Sequence, residues 1–322
     1  MANVRNPAST GDQTAAGSRL HVHAMMLMAT LLVATSFPVV AAVTTGMDCV
    51  VLTFLRFALA TLLFAPIVAW KFGLSLPKVG DLLRYSLLSV FLVFFFWCMF
   101  ASLRLTTPLN TAAIFALTPV ITALIASVLL REKLSLSARI ALPIGAAGAI
   151  WVVFRGDVAG FLSLSLGTGD LLFMAGMLSL ATYSTLVKVL HRGEPMARMT
   201  FWTLATGTIW LLGLSLPDLS SIAWASVPTQ VYAGMAYLAV FTTIATFAIF
   251  QWSTSKIGPT RVVSYTFLNP ALVLLIGIPF GTALPPSATW PGVILVVLAT
   301  IVLQSNLGFR ASRTKPHTAI AA

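Results

Sequence analysis

The side chain in this sequence best suited to chemistry is Arg56, which lies within the apolar stretch 49–69. Placing a guanidinium in hydrocarbon costs at least about 2.5 kcal/mol, so it needs a partner or a wet cavity. If it faces a cavity, it can offer two parallel N–H donors to a carboxylate. If it does not, it extends toward lipid headgroups or hydrogen-bonds neighbouring carbonyls. The sequence leaves both interpretations open.

Other polar and aromatic side chains within apolar stretches are candidates to bind a small molecule, and each has a structural alternative. Buried phenols need hydrogen-bond partners, from a ligand or from another helix. Asn269 either binds a ligand or caps an interrupted helix, and buried hydroxyls often bond to their own backbone. An indole is either a stacking platform or an interfacial anchor. Besides Arg56, the candidate binding residues are Ser36, Trp97, Thr118, Tyr183, Tyr237, Tyr265 and Asn269.

The acidic side chains lie at the ends of apolar stretches or between them, and the histidines avoid the middles. Among the acids, Asp170 is the candidate for proton coupling. The chain lacks the clustered carboxylates of metal–diphosphate chemistry and the GxxxxGK[ST] sequence of nucleotide-binding loops. Cys49 and Cys98 do not have the spacing of metal ligands. We therefore expect no catalytic residues, no metal and no cofactor.

Ten apolar runs position the candidate residues. With 58% hydrophobic and 8% charged residues among 322 and a mean hydropathy of +0.97, the chain is too apolar for a soluble domain. Each run is long enough to cross a hydrocarbon core of ~30 Å. We call the runs spans 1 to 10. They cover 22–43, 49–69, 82–101, 108–130, 136–154, 169–189, 199–216, 230–252, 261–283 and 288–306.

Basic residues predict how these spans are oriented. If the amino terminus is cytoplasmic, Lys and Arg concentrate in the inner connections, and only Arg104 and Arg155 lie outside. The cytoplasmic connections therefore account for most of the net charge of +11. Because the cations form no single face, we expect no nucleic-acid partner. Both termini are predicted to be cytoplasmic. Residues 1–20 are expected to be disordered and residues 307–322 to form a basic tail.

The two halves of the chain repeat each other. Residues 104–134 and 256–284 each contain a cation, a short turn with a proline, and an apolar helix with a second proline, Pro119 or Pro270. Such a proline frees a backbone carbonyl, and paired interruptions in two repeats point to a binding site between them. Because each half has five spans, the second half enters from the opposite face. The predicted fold is thus an all-α integral membrane protein with a 5+5 inverted repeat.

At these positions the chain resembles the EamA-type transporters of the drug/metabolite transporter superfamily, over nearly all of residues 22–306. The motifs that carry the resemblance are Leu55-Arg56-Phe57, Ala101-Ser102-Leu103 to Asn110-Thr111-Ala112, Thr118-Pro119, Arg131-Glu132-Lys133, Lys256-Ile257-Gly258-Pro259-Thr260 and Phe267-Leu268-Asn269-Pro270. The resemblance implies two EamA repeats, 21–154 and 169–306, joined by an outer linker, 155–168. Similar proteins usually carry a Glu after spans 4 and 9, whereas here only Glu132 matches.

The expectation is a multi-pass inner-membrane transporter that moves a small metabolite by alternating access, and not an enzyme. The resemblance favours an amino acid or related compound, and export over uptake. Pro119 and Pro270 are the predicted helix breaks, and Glu132 is either part of a gate or of a cytoplasmic charge cluster. A proton-coupled antiporter is the alternative, and a channel or a membrane enzyme is disfavoured. The expected partners are the small-molecule substrate and the lipid bilayer, and the sequence does not predict an oligomeric state.

Overall fold

The computed structural model describes residues 8–129, 136–157, 167–257, 259–280 and 286–304. Within these ranges every regular element is a helix, which confirms the all-α prediction. Glu132, most of the predicted linker and the predicted basic tail lie outside the described residues.

Uninterrupted α-helices form six of the predicted spans. Their bounds, for spans 1, 2, 3, 5, 6 and 7, are Ala8–Val43, Cys49–Phe72, Val79–Ser102, Leu136–Val153, Thr168–Leu190 and Met196–Leu219. Span 10 begins with a turn of 3₁₀-helix, Ser287–Thr289, and continues as Trp290–Gln304. Each helix end lies within a few residues of its predicted boundary, apart from the start of the first.

The helix of span 1 begins at Ala8, within the stretch 1–20 that we expected to be disordered. Residues 8–20 are therefore helical in the structure. The physical reason is that they extend a helix that span 1 has already nucleated, and adding a residue to an existing helix is far easier than starting one.

Spans 4, 8 and 9 are irregular. Span 4 consists of Pro108–Ala116 and Thr118–Leu129, with a break at Leu117. Span 8 passes from Thr229–Ala239 through a π-helical segment, Val240–Ala245, into Thr246–Ile257. Span 9 consists of Pro259–Ser264, a 3₁₀ segment Tyr265–Leu268, and Asn269–Gly277, followed by a 3₁₀ turn, Ile278–Phe280. Both predicted proline positions therefore coincide with helix interruptions.

Nine helices in the described part of the chain are long and apolar enough to cross a membrane. The exception among the predicted spans is span 9, whose described apolar helix, Arg261–Gly277, is shorter. At about 1.5 Å per residue it rises about 25 Å, less than a typical hydrocarbon core. The count of ten therefore stays a prediction.

The packing of the spans follows the repeat. Spans 3, 4 and 6 pack as one group, and spans 8, 9 and 1 pack as a second group. The two groups are equivalent in the repeat, because spans 3, 4 and 6 of the pattern correspond to spans 8, 9 and 1. Span 2 packs on span 7, span 4 on span 9, and span 5 on span 10, so each of these pairs joins equivalent elements.

Contacts between equivalent spans show that they run in opposite directions. Arg198 at the start of span 7 hydrogen-bonds to the carbonyl of Phe72 at the end of span 2. Near the middles of the same two spans, the hydroxyls of Thr61 and Thr208 lie 3.2 Å apart. Trp151 at the end of span 5 donates to the carbonyl of Ala288 at the start of span 10, at 2.7 Å. Antiparallel equivalents are what an inverted repeat requires.

Candidate functional site

Arg56 lies fully inside the molecule, with only 2% of its surface exposed. Its Nε donates to Oγ1 of Thr243 at 3.1 Å, and its Nη2 donates to Oγ1 of Thr242 at 3.0 Å. The guanidinium carbon lies 4.2 Å from the ring centre of Phe96 in span 3, a favourable cation–π distance. Spans 2, 3 and 8 thus meet at this side chain, and the alternative in which it reaches the headgroups does not describe this structure.

The π-helical segment of span 8 explains how two adjacent threonines reach one side chain. The hydroxyls of Thr242 and Thr243 both donate to the carbonyl of Leu238, at 2.9 and 3.0 Å. One bond spans four residues and the other spans five, as in a π-helix, and π segments often occur at functional sites. Because both hydroxyl hydrogens are used in this way, the two oxygens are left to accept hydrogen bonds from Arg56.

The positive charge of Arg56 has no acidic partner among the residues that the structure describes. Its Nη1 is buried and forms no hydrogen bond to any of them. A buried cation held only by neutral groups carries a large desolvation penalty. This arrangement leaves one edge of the guanidinium able to bind an anionic group, for which a carboxylate has the matching geometry.

The three candidate tyrosines have different polar contacts, although Tyr183 and Tyr237 pack on the same apolar cluster. The hydroxyl of Tyr237 lies 2.6 Å from that of Thr35 in span 1, and Thr35 itself donates to its own backbone. The hydroxyl of Tyr265 lies 2.5 Å from Nδ1 of His23, near the start of span 1. Tyr183 is partly buried between two apolar clusters and forms no hydrogen bond to another described residue. The structure therefore does not join the tyrosines into one site with Arg56.

Three other candidate side chains bond to their own backbone. Asn269 is completely buried and donates from Nδ2 to the carbonyl of Thr266 at 2.9 Å, while its Oδ1 has no partner in the described chain. Ser36 donates to the carbonyl of Val33 at 2.5 Å, and Thr118 donates to that of Phe115. The two hydroxyls are thus used structurally, whereas Asn269 keeps one free acceptor.

Trp97 lies in a groove between spans 2, 3 and 7, beside Phe94 at a ring distance of 5.9 Å. Phe94 is 41% exposed, whereas Phe95 and Phe96 are buried. The groove faces outward from the helix bundle and is lined by apolar side chains. This environment is that of a lipid-facing residue rather than of a stacking platform in the interior.

The broken helices of spans 4 and 9 lie side by side, since Pro108–Ala116 packs on Asn269–Gly277. Pro119 follows the break at Leu117, and Pro270 begins the helix that follows the 3₁₀ segment of span 9. Neither residue can donate a backbone hydrogen bond at these positions. The two interruptions therefore meet at one place in the fold, and Glu132 lies outside the described residues.

An ion-pair cluster at the predicted cytoplasmic ends of spans 3 and 6 was not foreseen from the sequence. Arg84 is 7% exposed, and its Nη2 lies 2.8 Å from Glu194 and 3.1 Å from Asp81. Arg84 also donates to the carbonyl of Leu190, the last residue of span 6. The only sequence signal was the coincidence of opposite charges at two predicted span ends.

The acidity of Glu194 reflects its surroundings in that cluster. Burial by itself would raise the pKa of the carboxyl. Hydrogen bonds from the backbone amides of Glu194 and Arg192, together with the charges of Arg84 and His191, outweigh this effect and hold the pKa below its ordinary value. Glu194 is therefore a carboxylate at neutral pH and pairs with a nearly buried arginine.

Asp170 occupies the opposite end of span 6 and is 6% exposed. Its Oδ1 accepts a hydrogen bond from the hydroxyl of Thr106 at 2.5 Å, and its Oδ2 accepts one from the amide of Gly167 at 3.1 Å. Asp170 is the third residue of the helix Thr168–Leu190, and its carboxyl thus caps the start of that helix. In the described chain it forms no ion pair with a lysine or an arginine.

Comparison with known proteins finds one family whose model matches both halves of the chain. The family model of the EamA-like transporter family matches residues 21–154 and again 167–304. An uncharacterized transporter of Bacillus subtilis, YyaM, is 24% identical over 268 residues, which cover 82% of this chain and 87% of the relative. Protein PecM of Dickeya dadantii is 28% identical over 260 residues, which cover 76% of this chain and 81% of PecM.

Two further similarities agree with these. An uncharacterized transporter of Archaeoglobus fulgidus is 24% identical over 249 residues, covering 77% of this chain and 85% of the relative. A solved crystal structure matches with a TM-score of 0.68 over 88% of this chain and 96% of that chain, at 17% identity, which shows a common fold. The family model matches the chain twice in tandem, and the chain belongs to the EamA-like transporter family.

Proposed function

We propose that this transporter carries a small metabolite with a carboxylate group, such as an amino acid, and binds that group at Arg56. The observation that carries the proposal is the buried guanidinium, whose Nη1 has no partner and whose charge has no acidic neighbour in the described chain. A carboxylate would supply both the missing acceptor and the compensating charge. Intramembrane charges of this kind commonly mark the path of a substrate.

Transport would occur by alternating access between the two faces of an inner membrane. The group of spans 3, 4 and 6 and the equivalent group of spans 8, 9 and 1 would rock against each other around Arg56. Arg56 contacts one member of each group, through Phe96 of span 3 and Thr242 of span 8. Because this side chain contacts both groups, movement of either group would change its contacts.

The carrier would act as a facilitator or exchanger, with export as its direction in the cell. Aside from Arg56, charged side chains lie at the ends of the spans or between them. The middles of the spans therefore contain no carboxyl group that could bind and release a proton during transport. Family membership favours export of metabolites over their uptake.

The experiment that tests this function is counterflow in liposomes that contain the purified protein and a preloaded pool of amino acids. Without any ion gradient, a trace of labelled amino acid outside should accumulate and saturate with concentration. Accumulation of an acid, and not of its amide, identifies a carboxylate carrier. If a broad panel of carboxylates gave no counterflow with folded protein, the proposal would be wrong.

Proton-coupled antiport is a second candidate, and the burial of Asp170 favours it. This carboxyl is 6% exposed, accepts a hydrogen bond from Thr106 and lies at the end of a span, where a group that couples transport to protons would act. In this case, flux in vesicles would depend strictly on a pH gradient, and Asp170→Asn would abolish that dependence. Equal flux with and without the gradient would leave the facilitator as the function.

A further inference from the structure

A groove of about 380 Å³ lies between spans 1, 9 and 10, away from the helices that hold Arg56. Its polar end is formed by His23, Tyr265 and Gln304. All three lie near the ends of their spans at the predicted cytoplasmic face. Its apolar wall includes Leu27, Val297 and Ile301, so the groove is amphipathic along its length.

The apolar wall of the groove faces outward from the bundle. Leu27, Val297 and Ile301 are 50%, 40% and 56% exposed. Val297 and Ile301 are one helical turn apart and form a single stripe of span 10, with Leu27 of span 1 opposite. In a membrane, such a surface is covered by hydrocarbon, and a groove of this shape is suited to an acyl chain rather than to a compact polar solute.

The polar end contains a hydrogen-bond network in which one acceptor has no donor in the described chain. The Nε2 atom of Gln304 donates to the carbonyl of Arg261 at 2.8 Å and to the hydroxyl of Ser264 at 3.0 Å. These bonds fix the carboxamide, yet its buried Oε1 has no partner in the described chain. An acceptor fixed in this way suits a ligand that carries a hydroxyl donor.

Two cations lie in spans 8 and 9, at the predicted cytoplasmic face of the groove. Residues 219–322, which contain spans 8, 9 and 10, include no Asp or Glu at all. Lys256 lies near the end of span 8, and Arg261, near the start of span 9, is next to the groove because its carbonyl accepts the hydrogen bond from Gln304. Cations beside a groove at the cytoplasmic face favour anionic lipid headgroups.

We propose that this groove is a binding site for an anionic phospholipid with a hydroxylated headgroup, of the phosphatidylglycerol type. The acyl chain lies along Leu27, Val297 and Ile301, and the headgroup reaches Gln304 beside His23 and Tyr265. The site is separate from the carrier function proposed for Arg56. It also assigns Tyr265, a candidate substrate ligand by sequence, to a lipid contact.

A second groove in the same molecule provides the matched control. It has about the same volume, about 370 Å³, and lies between spans 2, 3 and 7. Its lining includes Val93, Trp97 and Leu214 but no acidic, basic or histidine side chain. It can therefore hold an acyl chain of the same size but has no site for a headgroup. We expect it to bind phosphatidylglycerol and phosphatidylcholine equally well.

The test is native mass spectrometry of the full-length protein after delipidation and addition of phosphatidylglycerol or phosphatidylcholine. Wild-type protein should retain phosphatidylglycerol at least fivefold better than phosphatidylcholine. Ile301→Trp, which fills the groove at an exposed position, should remove this preference. Leu214→Trp, in the control groove, should preserve it. The double variant Lys256→Gln/Arg261→Gln should weaken phosphatidylglycerol retention about fivefold per cation removed.

Three results would overturn the proposal. The first is equal retention of the two lipids by wild-type protein. The second is an unchanged preference for phosphatidylglycerol in Ile301→Trp. The third is an equal loss of that preference in Leu214→Trp, which would place the lipid elsewhere. Circular dichroism of each variant shows that it is folded, and none of these readouts depends on transport.

Discussion

Arg56 carries a charge that no acidic side chain in the described chain neutralises. The sequence predicted that this residue would need a partner or a cavity, because an arginine within an apolar span has few other options. It did not predict which partners, since Thr242 and Thr243 are ordinary hydroxyl residues of span 8 and meet Arg56 only through a π-helical turn. Long-range contacts of this kind are set by packing, not by local sequence.

Replacing Arg56 by alanine should lower the rate of counterflow about tenfold or more, because a charge-assisted hydrogen bond to substrate contributes about 1.5–3 kcal/mol. Arg104→Ala is the matched control. Arg104 is exposed and donates to the carbonyls of Thr44 and Met47 at the end of span 1. We expect its loss to change the rate by about twofold or less. Equal losses in the two variants would remove the case for substrate contact at Arg56.

At the polar end of span 6, the Arg84–Glu194 pair makes stability depend on pH. The pKa of Glu194 is lower in the folded protein than its ordinary value of 4.5, so the folded state binds its proton less readily than the unfolded state. The stabilisation is therefore complete above about pH 4.5 and is lost as the pH falls through the lowered pKa.

Thermal unfolding in detergent at pH 7 and at about pH 3.5 measures this contribution. Glu194→Gln should destabilise the protein at pH 7 by on the order of 2 kcal/mol, since it leaves the nearly buried Arg84 with fewer partners. Near pH 3.5, below the ordinary pKa of 4.5, the same substitution should have a smaller effect than at pH 7. A penalty that is the same at both pH values would show that the charge of Glu194 does not stabilise the fold.

Among the elements, the breaks in spans 4 and 9 were predicted from a proline repeated in the two halves of the chain. Proline alone was not enough, since unbroken helices contain Pro38, Pro66, Pro143 and Pro217. Pro119 and Pro270 both coincide with interruptions. The π segment of span 8 contains no proline and no glycine, so its residues did not predict it. The helix at 8–20 was missed because a polar composition does not reveal that an adjoining helix will extend into it.

Span 5 and span 10 approach closely through glycine. A Cβ atom on Gly148 would lie 2.8 Å from Cβ of Leu295 and 2.9 Å from the carbonyl oxygen of Gly292. These distances force the two helices apart, because backbone atoms cannot move aside as a flexible side chain can. We expect Gly148→Ala to destabilise the protein by about 1–3 kcal/mol, the usual cost of overpacking.

Gly213 provides the control for that substitution, since it lies within the helix of span 7 and a Cβ there would meet nothing within 4 Å. Gly213→Ala should leave stability unchanged or raise it by up to about 1 kcal/mol, through the better helix propensity of alanine. Thermal unfolding of both variants checks the pair. Equal behaviour would mean that the close approach of spans 5 and 10 does not limit stability.

For the molecule as a whole, the sequence predicted the membrane class and the tandem repeat, because composition and internal echoes are global signals. The antiparallel contacts between spans 2 and 7 agree with the inverted arrangement. The sequence could not show which partners the candidate residues would have. Tyr237, Tyr265 and Trp97 lie in three different environments, since being within a span does not fix the direction that a side chain faces.

The number of spans decides where the termini lie. Ten spans place residues 9 and 312 on the same face, whereas nine would place them on opposite faces. In a background without Cys49 and Cys98, a membrane-impermeant thiol reagent should label neither Ser9→Cys nor Ser312→Cys in intact cells. Ser163→Cys, in the predicted outer linker, should react. Labelling of only one terminus would show that span 9 does not cross the membrane.

In the proposed function, Arg56 binds the carboxylate of the substrate. The most direct measurement compares counterflow of a transported acid with counterflow of its amide, in wild-type protein and in Arg56→Ala. We expect wild-type protein to prefer the acid at least tenfold and Arg56→Ala to lose most of that preference. If the variant transported more slowly but kept the same preference for the acid, the carboxylate would be bound elsewhere and the claim would be contradicted.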